Sequence, residues 1–240
     1  MSVTFRQIAG VADGTGSVVL SVNSTFGSAN ILANRLVLLA NWANDASATT
    51  DTCAIVDTAG NSWNQIGATT HEAVGGWGAS YYACFEVPSC KASASNKVTL
   101  NITSPSNAAI FPGFGCVELT GSNPSAASYG RSVTFDTSCS CGPAEATIAP
   151  ASVGDMVVGW GAVTNPFGAT GVVSGNTQRG GFFGTHCGGH MYAWSELVAA
   201  SLANLTVGVT FSVNSTWGYQ AVAVPVATGG GISVPFWAAP

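Results

Sequence analysis

The chain has 240 residues, 47% of them hydrophobic, with six basic and eleven acidic side chains and a formal charge of −5. Isolated soluble domains commonly give ~25–35% of their surface to Lys, Arg, Glu and Asp, so this exterior must rest on Ser, Thr, Asn, Gly and aromatic side chains, which suits contact with neighbours or uncharged ligands. Arg6, Arg35, Lys91, Lys97, Arg131 and Arg179 are scattered singly, with no stripe to neutralise a row of phosphates, and no run of ~18 apolar residues offers a membrane-spanning helix; nucleic acid and membrane are therefore not expected partners.

Short runs rich in Val, Thr, Phe and Tyr alternate with clusters of Gly, Asn, Ser and Pro, and no useful length shows apolar residues at three- and four-residue spacing. The pattern predicts an all-β chain. Strands are expected over residues 3–8, 17–22, 35–42, 52–57, 63–69, 80–87, 97–102, 113–119, 146–148, 156–162, 177–182, 190–197, 206–211 and 219–226. Asp57, Thr58, Ala59, Gly60 and Asn61 read as a tight hairpin turn in which glycine supplies a positive φ.

A weak internal repeat runs through these strands. Tyr82-Ala83-Cys84-Phe85-Glu86-Val87 is echoed by Tyr192-Ala193-Trp194-Ser195-Glu196-Leu197, and Arg35-Leu36-Val37-Leu38-Leu39 by Asp155-Met156-Val157-Val158-Gly159. Val22-Asn23-Ser24-Thr25-Phe26-Gly27 also resembles Val213-Asn214-Ser215-Thr216-Trp217-Gly218. Two similar halves could supply the two sheets of one jelly-roll-like β-sandwich over residues 1–228, the favoured arrangement, or form two small sandwiches in tandem.

The run from Leu36 to Trp42, the turn from Asp57 to Asn61, Tyr81-Tyr82-Ala83 and the closing Ala221-Val222-Ala223-Val224 together resemble a Ser/Thr/Gly-rich β-sandwich module of bacterial surface proteins and phage virion structural proteins. The resemblance spans roughly residues 30–227 and carries no catalytic residues. It implies a binding or structural part of a surface or a particle; the many cysteines and the tail depart from the module's usual pattern.

Seven cysteines, at positions 53, 84, 90, 116, 139, 141 and 187, are more usual outside the cytosol, where disulfides persist. Yet Met1 to Arg6 lack the basic start, apolar run and cleavage site of a secretory signal. A virion protein reconciles the two signs, since it is made without a signal and later released into oxidising surroundings; removal of a signal is the rival explanation. An odd count leaves at least one cysteine unpaired or bonded to another chain. Strand alternation puts Cys84 on a face with Tyr82 and Glu86, and Cys116 on a face with Glu118. If the charges mark those faces as outward, Cys84 and Cys116 are candidates for an external cross-strand disulfide. Cys139 and Cys141, two apart, are poorly spaced to bond each other and suit intermolecular contact; the alternative is a small buried thiol.

Signals for chemistry are sparse. His71, His186 and His190 fall in expected loops or strand starts, and no Gly-x-Ser-x-Gly elbow marks a nucleophile, so no catalytic residues are assigned and an enzyme is not expected. His186-Cys187-Gly188-Gly189-His190 has zinc-compatible side chains but needs a further ligand from elsewhere. Asp45, Asp51 and Asp57 match no calcium loop, and no phosphate-cradling or dinucleotide fingerprint is present; no metal or cofactor is expected. Gly75-Gly76-Trp77-Gly78 presents an indole able to stack on a sugar ring, and Trp63 and Tyr81 could extend that platform.

Gly229-Gly230-Gly231 reads as a hinge before an arm, residues 229–240, in which Ile232, Val234 and Phe236 alternate, followed by Trp237. The arm is expected to dock on another subunit by adding a strand or filling an apolar groove, or else to pack back on its own domain. Together these signs point to a non-enzymatic structural protein of a phage virion, such as a capsid decoration, neck or fibre-associated component. Its expected partners are further copies of itself, as a homo-oligomer, and other virion proteins such as the major capsid protein. The alternative is a carbohydrate-binding or adhesive module on a bacterial surface, extracellular and meeting surface glycans.

Overall fold

Residues 36–40 are apolar at both strand parities, and a strand of that kind must be covered on both faces. A computed structural model, which describes residues 2–12, 19–44, 51–73, 79–105, 109–136, 143–163, 169–183, 191–211 and 216–227, shows how. Every regular element among the described residues is a strand. The first half runs β1 (Thr4–Ala12), β2 (Ser21–Thr25), β3 (Arg35–Asn44), β4 (Thr52–Asp57), β5 (Asn64–Gln65), β6 (Thr70–Ala73), β7 (Ala79–Val87), β8 (Lys97–Thr103) and β9 (Ala109–Thr120). The second runs β10 (Tyr129–Asp136), β11 (Pro143–Ile148), β12 (Met156–Val163), β13 (Ala169–Val172), β14 (Thr177–Phe183), β15 (Met191–Val198), β16 (Leu205–Phe211) and β17 (Trp217–Val224).

The halves repeat one plan. β1-β9-β3-β7 form a sheet in the first, with β5 and β6 both along β7, and β2-β8-β4 form its companion. β10-β17-β12-β15-β14 and β11-β16-β13 have the same orders in the second. Each half thus holds its own facing pair of sheets, and the two larger sheets also face each other across a shared core. Leu36, Leu38, Ala40 and Trp42 pack toward Leu100 and Val98 of the small sheet. Their alternates Val37 and Leu39 meet Met156, Val158, Trp160 and Val222 of the other half. On the far side of that sheet, Val157, Tyr219, Ala221 and Ala223 pack on Ala146, Ile148, Val207 and Val209. The all-β expectation of two pseudo-repeated halves is met; each half contributes two sheets rather than the one expected of it, giving four sheets in layers.

Polar groups lock the shared core. Trp160 donates Nε1 to Asn41 Oδ1 at 2.8 Å, Gln220 donates to the carbonyls of Ala40 and Ala83 at 2.9 and 3.1 Å, and Arg131 donates to the Tyr82 carbonyl at 2.8 Å. Part of the scarce charge is turned inward. Arg35, Asp51, Glu86, Glu118, Asp155 and Glu196 are all buried, an unusual allocation for residues seldom buried unless paired, while Ser21, Asn23 and Thr25 face solvent on β2.

Three sequence expectations need correction. The turn at Asp57 forms, with Gly60 at φ 68° and Asn61 donating its N–H and Nδ2 to the Asp57 carboxylate at 2.9 and 2.7 Å. It is not a hairpin, because β4 belongs to the small sheet and β5 to the large one. The echo of residues 35–39 by 155–159 is out by one position. Val37 stands opposite Glu86 and Val158 opposite Glu196, so the equivalent of Arg35 is Met156. The echo of residues 22–27 by 213–218 has no topological meaning, since β2 corresponds to β11 and not to β17.

Candidate interaction surface

β3 and β12 start, and β7 and β15 finish, at one end of the stack, here called the base. Its two halves adjoin there: Asn123 N–H donates to the Pro225 carbonyl at 2.9 Å and Ala227 N–H to that of Gly121 at 2.8 Å. Among the residues whose side chains are described, Ile31, Leu32, Val56, Val153, Val198 and Leu202 stand exposed, in base loops or in the strand ends entering them.

Two of these loops are the same turn made twice. Asn34 N–H donates to the Ile31 carbonyl at 3.2 Å, as Asp155 N–H does to that of Ser152 at 3.2 Å. Ala33 and Gly154 occupy the left-handed region, at φ 68° and 95°. Ala33 N–H and Asn34 C=O bond Cys90 at 2.9 and 2.7 Å, and Gly154 N–H and Asp155 C=O bond Ala199 at 2.8 and 2.7 Å. The residue before each left-handed position projects outward: Leu32 is 67% exposed and Val153 57%. A non-glycine residue at positive φ costs roughly 1 kcal/mol, so Ala33 is held there by its surroundings.

Glu118 is chief among those surroundings. Fully buried, its carboxylate accepts from Arg6 at 2.6 Å, from Asn30 and Asn34 Nδ2 at 2.9 and 2.7 Å, from Ile31 N–H at 2.8 Å, and from Gln7 Nε2. Burial alone would raise its pKa; the hydrogen bonds from Ile31, Gln7, Asn30 and Asn34 outweigh this and hold it below the usual carboxylate range. In the second turn the side chain of Asp155 does the corresponding work, accepting from Ser152 N–H at 2.8 Å, Ala151 N–H at 3.2 Å, Val226 N–H at 2.8 Å and the Tyr129 hydroxyl. Burial, aided by that bond to Asp155, pushes the Tyr129 phenol up to about 12. Both tips are therefore fixed on buried carboxylates, which limits the ordering cost of binding.

The joint between the halves is fixed in the same way. Arg35 pairs with Glu86 and donates to the carbonyls of Asn123 and Ala126 at 2.6 and 2.5 Å, while Ser128 donates Oγ to Glu86 at 2.7 Å. At the equivalent place Glu196 meets Arg179 at 2.7 Å, with Arg179 over the Phe5 ring at 4.7 Å. Among the described residues Glu196 Oε2 is buried without a hydrogen-bond partner. Burial there exceeds what Arg179 returns, so the Glu196 pKa is raised.

The residues singled out from sequence fall elsewhere. Cys84 and Cys116 do not form a disulfide: both are free and fully buried. Cys84 packs in the shared core and Cys116 in the first half's own core, so they lie on opposite faces of one sheet with β3 between their strands. The assumption that Glu86 and Glu118 mark outward faces fails because this sheet is covered on both sides. Cys53 and Cys90 are free as well. Burial raises all four thiols, Cys53 to about 12 and Cys90 to about 11, leaving little nucleophilic thiolate at neutral pH.

Tyr81 is buried, stacked between Trp42 and His71 with ring centroids 5.3 Å apart on either side. Trp63 packs against the first core, beside β5, which pairs with Phe85 and Glu86. Four to five strand residues, roughly 15 Å, separate that point from Tyr81, so the two form no common stacking platform. Asp51 and Asp57 sit at opposite ends of β4, and no three His, Cys, Asp or Glu side chains among the described residues group to hold a metal. Trp77, Cys139, Cys141, His186, Cys187, His190, Asp45 and the arm with Ile232, Val234, Phe236 and Trp237 lie outside the described residues.

Sequence reading missed the base turns. The available signal was Ile31-Leu32 between Asn30 and Asn34, an apolar pair inside a polar loop. No protein-family model, curated protein or solved structure matches the chain.

Proposed function

We propose that the chain is a non-enzymatic structural component of a larger assembly and binds neighbouring subunits through its base. A phage virion is the setting that its low charge and sequence resemblance suggest. The supporting observation is the paired turn: two equivalent, hydrogen-bonded tips holding Leu32 and Val153 out in solvent. Exposed aliphatic tips on a rigid frame gain about 25 cal/mol per Å² of apolar surface when a partner covers them, and little ordering entropy opposes that gain. The buried thiols and the separation of Trp63 from Tyr81 favour this reading over chemistry at those cysteines or sugar stacking at that pair.

The chain's two lysines, Lys91 and Lys97, both stand exposed near the base. Amine-reactive crosslinking of native assembled material, read by mass spectrometry, is expected to join Lys91 or Lys97 to a structural subunit. Modification of both lysines with no interchain link in intact assemblies would count against the base as the contact surface.

A further inference from the structure

We infer that the base turns receive the segment following β17 from a second copy of the chain, with residues 232–237 of each copy lying against the apolar tips of the other. The inference rests on the base being the contact surface proposed above. It starts from how the two halves treat the chain as it leaves them.

After β9 the chain is gripped at once, the carbonyls of Asn123 and Ala126 by Arg35 and the backbone and hydroxyl of Ser128 by Glu86. After β17 the exit begins alike, bonded through Ala227 to Gly121 and through Val226 to Asp155. There the equivalence stops. Met156 replaces Arg35 and has no donor to offer a passing carbonyl. Near Glu196 stands instead the start of the chain: Val3 N–H bonds the Gly154 carbonyl at 3.0 Å, and Phe5 of β1 lies under Arg179, which pairs with Glu196. Beside Glu196 the described residues thus offer none of the clamps that hold residues 123–128 beside Glu86.

The sequence beyond Ala227 suits docking on another copy. Gly229-Gly230-Gly231 permits any direction of departure, and Ile232, Val234 and Phe236 recur at period two, an apolar edge for an extended segment. Exit and tips share the base. Two copies placed base to base bring each exit beside the other's turns through one self-complementary two-fold contact, the commonest closed arrangement of identical chains. Folding back on Val153 of its own copy would leave Leu32 of the equivalent turn bare; the two-fold pair covers both.

Light scattering across a concentration series tests this with full-length variants. The chain is expected to run at twice its 24.1 kDa mass. Val234→Asp/Phe236→Asp and Leu32→Asp/Val153→Asp should each return it to single-chain mass with the strand signal of the folded chain retained, Leu32 and Val153 lying outside the three cores. A synthetic peptide of residues 228–240 should bind the Val234→Asp/Phe236→Asp chain at least tenfold more tightly than the Leu32→Asp/Val153→Asp chain. A single-chain mass for the unsubstituted protein, or a dimer indifferent to Val234→Asp/Phe236→Asp, overturns the inference. If that monomer still crosslinks through Lys91 or Lys97 to a different subunit, the proposed function stands and only the second copy falls.

Discussion

The two halves share a strand order and differ in what they do with a buried glutamate. Glu86 is met by Arg35, by Ser128 and by a linker folded over both. Glu196, its equivalent, has Arg179 from the next strand, itself lying over the Phe5 ring. Duplicating a fold copies backbone pairing readily, because antiparallel ladders ask little of individual side chains. Completing a buried charge requires donors from chain segments distant in sequence, and these were filled differently in the two halves.

The harshest way to break the comparison is to give the first half the second half's residue. Arg35→Met strands Glu86 in the interior and frees the linker carbonyls, and is expected to cost about 3–5 kcal/mol by urea denaturation. A loss below ~1 kcal/mol would mean that the linker holds without its clamp. Next in size is Gly218→Ala, since a Cβ there would stand 2.4 Å from the Tyr82 hydroxyl across the seam. Overpacking of that kind should cost about 2 kcal/mol, measurable in the same titration.

Acid and base titrations separate the carboxylates. Glu118 has a lowered folded pKa, so its contribution is present above the unfolded pKa and is lost as pH falls through the folded value, below the ordinary carboxylate range. Glu118→Gln should remove that acid-side loss and be destabilising at pH 7. Glu196 has a raised folded pKa, so its contribution is present below the unfolded pKa and is lost as pH rises through the folded one. Glu196→Gln should accordingly raise the urea midpoint at pH 7 and leave it nearly unchanged at acid pH where the glutamate is protonated. Opposite pH slopes in the two variants sharpen the comparison; parallel slopes would erase it.

The smallest test exchanges the turns. Ala33→Gly relieves a left-handed alanine, and Gly154→Ala imposes one; each should move stability by about 1 kcal/mol, upward in the first and downward in the second.

Much of this arrangement was legible in the sequence, and its limits have physical causes. Strand positions emerged because alternation and turn residues are local signals. β6 and β13 were too short to register, and β10 carries Gly130 and Arg131 inside an otherwise ordinary strand. A charge does not mark solvent at Glu86 and Glu118, because residues 36–40, apolar at both parities, require cover on each side of that sheet. The match between β7 and β15 was correct, but a one-residue slip between β3 and β12 reverses every side chain and concealed Met156 as the partner of Arg35. The donors around Glu118 could not be read at all: Asn30, Asn34 and Gln7 lie 84 to 111 residues away along the chain.

The base contact is tested most directly by hydroxyl-radical footprinting of isolated and assembled protein. Labelling of Leu32 and Val153 should fall together as assembly proceeds, while buried Trp42 and Trp160 stay unlabelled throughout. Undiminished labelling of both tips in the assembled material would contradict the base as the surface through which this chain meets its neighbours.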